Sequence, residues 1–580
     1  MATYIRLAEY KSADAKEREF FNNSNRYMAN EANYKIIPGK LYAYWILPEV
    51  SKAFECYTPL NQVADIKNGM STTDNTRFVR WWYECAFGNI GIGCESAEAS
   101  VVTGCKWFPY NKGGEYRKWY GNMGLVVNWK NNGQEIKKAA EGASGGRIVS
   151  QDYYFMRSVS WSKVSSGKFA LRLYPTGFLF DVAGPGIFTD YEMQKYIMGV
   201  INSKISKVCL QELYPTMNYE MGQVSSFPIL VKEEIKTLVS DIVEDNIQLE
   251  KQDWDTYETS WDFKKHFLIN GERSLAVAYQ KYLENYDARK NKISENERKL
   301  NELFLKLYSL DGKMNSDVSD DDITIIRHDL YSDITSLISY AVGCIMGRYS
   351  LIDDGVVFAG GVWNEELYSN DYRPCEYGVL PITEDQFFEV DLCTRVIDFI
   401  RVVFGEETLN DNLKFIASAL KPDSFEAPKK IIRDYMFNDF FDNHYQIYQH
   451  RPIYWQLDSG KAGGFRAIVY MHRFTENTLP LVRTEFIQDL RYKYEEEMQR
   501  QKSRLEGAAS TAESNAIKKD IAALDKKIVE CAAYDELLNH ATSSIQNYLF
   551  DLDDGVKTNY AKFLSIDGDK NSNILTVVKL

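Results

Sequence analysis

The chain has 580 residues, 45% hydrophobic and 26% charged, with a formal net charge of −14. That length is too great for one core and fits two to four domains, while the composition excludes wholesale disorder. No apolar run approaches the ~18 residues of a membrane span, and the start, MATYIRLAEYKSADAKEREFF, lacks the apolar stretch of a secretion signal. A cytoplasmic protein without membrane contact is expected.

Residues 1–45 read as a lead-in segment ending in the turn IPGK. Residues 46–230 form a β-rich domain: GLVVNW, RIVSQDYYF and KFALRLY are short apolar runs broken by Gly and Asn turns, which predicts strands. MQKYIMGVINSKISKVCLQEL places Met193, Tyr196, Ile197, Val200, Ile201, Ile205 and Val208 on one helix face and closes that domain. Residues 231–311 make a helical spacer, with Ser294 and Glu297 as a capping box ahead of KLNELFLKLYSL. The acidic loop DGKMNSDVSDDD follows. Residues 320–480 mix helices (LISYAVGCIMGRY, LCTRVIDFIRVVF) with short strands (FRAIVYMH), giving an α-rich C-terminal domain. Residues 481–545 carry two apolar stripes, Phe486, Leu490, Tyr494, Met498 and Leu505, then Ile517, Ile521, Leu524, Ile528 and Cys531, either side of GAAST. They predict an antiparallel helical hairpin with arms of about 30 residues. Residues 546–580 form a C-terminal tail. The fold class is α+β and multidomain.

The cysteines are scattered singly with no C-x-x-C, and H-x-x-x-H never occurs, so no metal site is expected. IDDGVV and DLDDGV are acidic turns without the alternating ligands of a calcium loop. RPIYWQLDSGKAGGFRAIVYMHR reads as a hairpin with a Gly-rich turn, structural rather than ligand-binding.

Charge is unevenly distributed. Residues 101–175 hold twelve cations against four acids, a local +8 that leaves −22 for the remainder. Within them, KWFPYNKGGEYRKWYG (106–121) crowds aromatics and four cations around Gly113-Gly114. Lys and Arg pair with phosphate, Asn and Arg reach base edges, and a glycine pair lets backbone approach a ligand closely, so the stretch suits nucleic acid. Lys112, Arg117, Lys118 and Lys130 are the expected phosphate contacts, Asn111, Asn122, Arg147 and Gln151 the expected base readers, and Lys106 and Tyr110 further DNA-binding candidates. Asn202, Lys204 and Asn218, in INSK and YPTMNYE, are further candidates for the DNA backbone, against a plain role as helix, turn and packing edge. The competing reading of the whole stretch is a strand-rich surface with core aromatics and solvated cations.

KWFPYNKGGEYRKWYG and VVNWKNNGQEIK resemble the target-recognition region of the PglX family of adenine-specific DNA methyltransferases of BREX phage-defence systems, and of related fused restriction-modification enzymes. GMSTTDNTRFVRWWYE, GFLFDVAGPGIF, INSKISKVCLQELYPTMNYEMGQVSSFPI, WDTYETSWDFKKHFL, ISYAVGCIMGRYSL, RPIYWQLDSGKAGGFRAIVYMHR and DLDDGVKTNYAKF match in the family's order across nearly the whole chain. The resemblance implies that residues 46–230 are a target-recognition domain binding double-stranded DNA. It implies S-adenosylmethionine for a catalytic partner chain, and other BREX proteins or a phage inhibitor as further partners.

The catalytic half of that family is expected to lie outside this sequence. No two prolines are adjacent, so the N-P-P-Y turn that grips a flipped adenine is absent. The nearest Gly-rich candidate for S-adenosylmethionine, FGNIGIGCE at 87–95, follows RFVRWWYE rather than a buried apolar strand. PDSFEAPKK (422–430) has the wrong acid-to-lysine spacing for a nuclease, and Pro428 interrupts it. The expectation is a DNA-sequence recognition module that binds no cofactor itself. The alternatives are one subunit of a split methyltransferase and a protein-interaction scaffold of the defence complex. On this reading Arg117→Ala and Lys118→Ala each flatten the salt dependence of DNA binding by about one unit.

Overall fold

The computed structural model describes residues 2–29, 37, 43–165, 168–214, 218–327, 329–543, 551–569 and 572–580. The expected IPGK turn beyond Ile37, part of YPTMNYE and the last residues of the expected hairpin lie outside the described residues. The chain is mixed α+β, about half helical, with several small sheets. It divides into two compact units interleaved along the sequence: Met1–Val79, Gly91–Trp254 and Tyr286–Ile326 form the first, and Arg80–Ile90, Asp255–Asn285 and Arg327–Leu580 the second. No helix among the described residues is long and apolar enough to cross a membrane.

In the first unit, β1 (Asp65–Lys67), β4 (Ser158–Ser160), β5 (Arg172–Tyr174) and β7 (Gly186–Phe188) make one antiparallel sheet in the order β1-β7-β4-β5. Beside it, β2 (Trp107–Asn111) pairs antiparallel with β3 (Leu125–Asn128) and parallel with β6 (Leu179–Phe180). Phe108 faces Val127 across the β2-β3 ladder, and both join Tyr110, Trp129, Ile136, Tyr154, Phe155 and Phe180 in a single aromatic-rich core. Burying side chains of this size stabilises the fold by about 1.5–3 kcal/mol each. Helix α1 (Lys130–Glu141) follows β3 directly and inserts Ile136 and Ala140 on its inner face.

Three expected elements come out differently. RIVSQDYYF is no strand: Gln151–Tyr153 is a single 3₁₀ turn, and the consecutive Tyr154 and Phe155 both enter the core, which an alternating strand cannot do. Helix α2 (Tyr191–Asn202) stops at Asn202, whose amide clasps the main chain of Leu171 from both sides at 2.8 Å. A π-helical turn, Lys207–Gln211, carries on beyond the break. The expected capping box at Ser294 and Glu297 is interior to one uninterrupted helix, α4 (Leu275–Leu307), because Glu297 turns inward to partners far along the chain. Helix α3 (Glu233–Trp254) precedes it, and Ile293 of α4 packs in a small cluster with Tyr286 and Ile325.

The second unit contains α5 (Leu330–Met346) and α6 (Leu392–Phe404), both capped by aspartates, Asp329 and Asp391, that accept from backbone amides of the first turn. A three-stranded antiparallel sheet is built from β8 (Val379–Ile382), β9 (Tyr454–Asp458) and β10 (Arg466–Tyr470), with β10 central. The Gly-rich turn between β9 and β10 is held by the chain itself: Glu530 accepts from Ser459 Oγ and from the amides of Ala462 and Gly464 at 2.8–2.9 Å. His444 Nε2 accepts from the amides of Ile453 and Tyr454, and burial lowers its pKa to about 3, so the ring is a neutral structural acceptor. Helices α7 (Gln488–Glu506) and α8 (Thr511–Ser543) pack together. Leu490, Tyr494, Ile517, Leu524 and Cys531 are buried, whereas Met498 and Leu505 towards the tip are only half-buried.

Candidate nucleic-acid interface

The stretch 106–121 faces inward. Trp107, Phe108, Tyr110 and Trp119 are fully buried, so they are core rather than a stacking platform. The glycine pair serves the chain's own packing: Gly113 (φ 76°) lies where a Cβ would meet the Ala183 carbonyl at 2.8 Å, and Gly114 accepts from Ser162 Oγ.

Arg117 and Lys118, both expected at phosphate, lie in buried ion pairs. Arg117 is 5% exposed and donates to Asp253 at 2.8 Å and to the Tyr120 carbonyl at 2.9 Å, with Glu250 at 3.1 Å. Lys118 donates to Glu297 at 2.6 Å, and Trp119 Nε1 donates to the other oxygen of that carboxylate at 2.9 Å. These carboxylates come from the helices α3 and α4. Burial disfavours the Lys118 ammonium, but the Glu297 charge beside it more than offsets this and holds its pKa above the usual lysine range. Burial pushes the Glu250 carboxyl up to about 8, against the opposing pull of Arg117. A charge that close to a buried counter-charge is removed from solvent, and a phosphate cannot compete for it without breaking the fold.

Other expected contacts are also occupied. Tyr110 OH and Lys112 Nζ both donate to Asp181 at 2.6 Å. Asn111 is buried, donating to Ser160 Oγ and the Gly184 carbonyl and accepting from the Gly113 amide. Asn122 donates to the Glu115 carbonyl. Lys204 donates to Asn315 at 2.6 Å, its pKa lowered by burial. Asn202 is committed to Leu171, while Asn218 is exposed and bridges to Val164. Of the remaining cations in this region, Lys163 pairs with Glu220, Lys168 with Asp322, and Arg172 is buried against Tyr174 and Ser162.

What stays outside is a different set. Lys130, Lys138 and Arg147 are exposed and form no ion pair among the described residues. Lys106 lies against the Trp107 ring and Lys137 against the Trp129 ring, at 5.2 and 4.9 Å. These cations gather around α1, since the Lys106 carbonyl accepts from the Trp129 amide and Lys130 sits at the left-handed turn, residues 131–133, that leads into the helix. The Arg147 carbonyl accepts from the Ser71 amide, which brings the GMSTTDNTRF segment alongside. Arg77 of that segment donates to Glu135 of α1 at 2.5 and 2.9 Å. The result is one continuous polar edge running from Arg147 through residues 71–77 to α1, with Gln151 exposed beyond it. Of the residues expected to touch DNA, Lys130 and Arg147 lie on this exposed edge and Gln151 is exposed beyond it. Lys138 and the Asn131-Asn132 pair were missed, although the tripeptide Asn-Asn-Gly is itself a signal of left-handed backbone.

In the Gly-rich segment 87–95 the three glycines differ, Gly88 and Gly93 lying in open space and Gly91 against a ring. A Cβ on Gly91 would lie 2.3 Å from the Phe108 ring, so its closeness serves packing. The helix that follows, Ala97–Thr103, has seven residues and is capped by Ser96 rather than opened by a phosphate-type loop. In the nuclease-like segment Glu426 pairs with Lys421, and Pro428 opens a helix.

Two curated proteins are similar to this chain. It is 35% identical over 602 residues to adenine-specific methyltransferase PglX of Lacticaseibacillus casei (strain Zhang), covering 100% of this chain and 49% of the relative. It is 32% identical over 591 residues to adenine-specific methyltransferase BrxX of Escherichia coli O9:H4 (strain HS), covering 97% and 47%. No protein-family model matches. The chain is therefore homologous to PglX and BrxX, and it spans about half the length of the curated relatives it matches.

Proposed function

We propose that this chain is the DNA-recognition part of a PglX-like adenine-N6 methyltransferase of a BREX phage-defence system, binding duplex DNA for host methylation. The observation that carries the reading is homology along the whole chain to half of each of two adenine-specific methyltransferases, in a sequence without N-P-P-Y. Methyl transfer then belongs to a segment that holds S-adenosylmethionine, whether joined to this one or supplied as a separate chain. Other proteins of the defence complex and a phage inhibitor are the further partners this reading implies. The edge around α1 supports it with exposed Lys130, Lys138 and Arg147 beside polar side chains, the pairing that duplex binding requires.

The test is retention of random duplex DNA by the purified chain at low and moderate salt, followed by sequencing of the bound fraction. Salt-dependent binding with one enriched motif is expected. Absence of any affinity at low salt overturns the reading in favour of a protein-interaction scaffold. In a methylation assay with S-adenosylmethionine the isolated chain is expected to be inactive, and turnover by it alone overturns the assignment of chemistry to another segment.

A further inference from the structure

The turn formed by residues 131–133 at the start of α1 has φ values of 51°, 56° and 70°. Left-handed backbone costs an ordinary residue about 1–2 kcal/mol, less for Asn and nothing for Gly, so Asn-Asn-Gly tolerates it and any strain falls on the two asparagines. Both ends are fixed. Trp129 is anchored in the aromatic core, the Gly133 amide donates to its carbonyl at 3.0 Å, and a Cβ on Gly133 would lie 2.5 Å from its ring. Asn128 accepts from the Lys130 amide and donates to Glu135, which Arg77 grips in turn.

This frame raises two side chains. Asn131 is exposed and Asn132 half-buried, and neither amide makes a hydrogen bond among the described residues. Asn111, Asn122, Asn128 and Asn202, by contrast, all use their amides within the fold. An anchored turn that holds two polar side chains outward without internal partners is suited to an external one. A carboxamide donates and accepts in one plane, which matches the N6 donor and N7 acceptor of adenine in the major groove. Lys130 and Arg147 on the same edge suit phosphate, which positions without reading.

We propose that Asn131 and Asn132 are the specificity-determining pair of this surface, reading base edges in duplex DNA with a preference for adenine. The inference rests on the DNA-recognition reading above. Asn131→Gly and Asn132→Gly remove the amides while tolerating positive φ, and Asn131→Asp leaves only acceptors. In selections from a random duplex pool by the full chain, each glycine variant is expected to lose discrimination at one or two adjacent positions of the enriched motif, by roughly 5- to 150-fold, with an unchanged salt slope. Asn131→Asp is expected to shift preference towards cytosine, whose N4 donates. An unchanged motif in all three folded variants, while Lys130→Ala still weakens binding, overturns this proposal and spares DNA recognition. No retention of DNA by the unaltered chain at low salt overturns both.

Discussion

Residues 106–121 set Lys106, Lys112, Arg117 and Lys118 among tryptophans and tyrosines, and residues 128–147 set Lys130, Lys137, Lys138 and Arg147 around Trp129. In the first segment the aromatics are core, and Arg117 and Lys118 are neutralised by buried carboxylates. In the second, Trp129 is the one aromatic and is buried as the anchor, with Ile136 and Ala140 beneath the helix, while Lys130, Lys138 and Arg147 stay in water. Four cations in each segment thus come to different ends. A cation is available to a ligand only when the fold brings no acid to it, and the segment that looks most like a DNA-binding stretch is the one whose charges are internal.

The largest effect that could break this contrast is expected at Arg117. Arg117→Ala leaves Asp253 and Glu250 buried without their partner and should destabilise the chain by about 3–5 kcal/mol in denaturant unfolding, with the salt slope of DNA binding by the folded fraction unchanged. A stable variant with a flattened slope would return Arg117 to the interface.

Next comes the pH response of the same cluster. The Glu250 carboxyl titrates near 8 in the folded chain against an ordinary 4.5, so the folded state holds this proton more tightly than the unfolded state. Its contribution to stability is full below about 4.5 and falls away as pH rises through about 8, a change on the order of a few kcal/mol. Glu250→Gln should flatten that part of the stability-pH curve, as followed by urea midpoints.

Gly133→Ala tests the anchor of the other segment. The new Cβ meets the Trp129 ring at positive φ, and a loss of about 1–3 kcal/mol is expected by chemical denaturation. The smallest stability effect belongs to the exposed cations. Lys130→Ala, Lys138→Ala and Arg147→Ala should each change unfolding free energy by less than about 0.5 kcal/mol, yet reduce the log K against log salt slope by about 0.9 apiece.

Much of the local structure is legible from spacing. The apolar periodicity of α5 and α6, the hairpin of β9 and β10 and the stripe on α7 and α8 follow from side-chain period and turn residues alone. Less legible are interruptions made from afar. The break after Asn202 depends on Leu171, and the inward turn of Glu297 on Lys118, so neither has a local signature. The candidate edge was half visible: Lys130, Arg147 and Gln151 are named by charge and polarity, but their selection over Arg117 and Lys118 is not.

By itself the sequence determined the periodic helices and the hairpin of β9 and β10, the basic excess of residues 101–175 and the absence of an N-P-P-Y turn, because these depend on neighbours within a few positions. Only the tertiary structure decided which basic residues meet water. The partners of Arg117, Lys118 and Lys168 lie 136, 179 and 154 positions further along the chain. Coulomb pairing at under 3 Å is set by distance in space, and no pattern of adjacent residues carries that information.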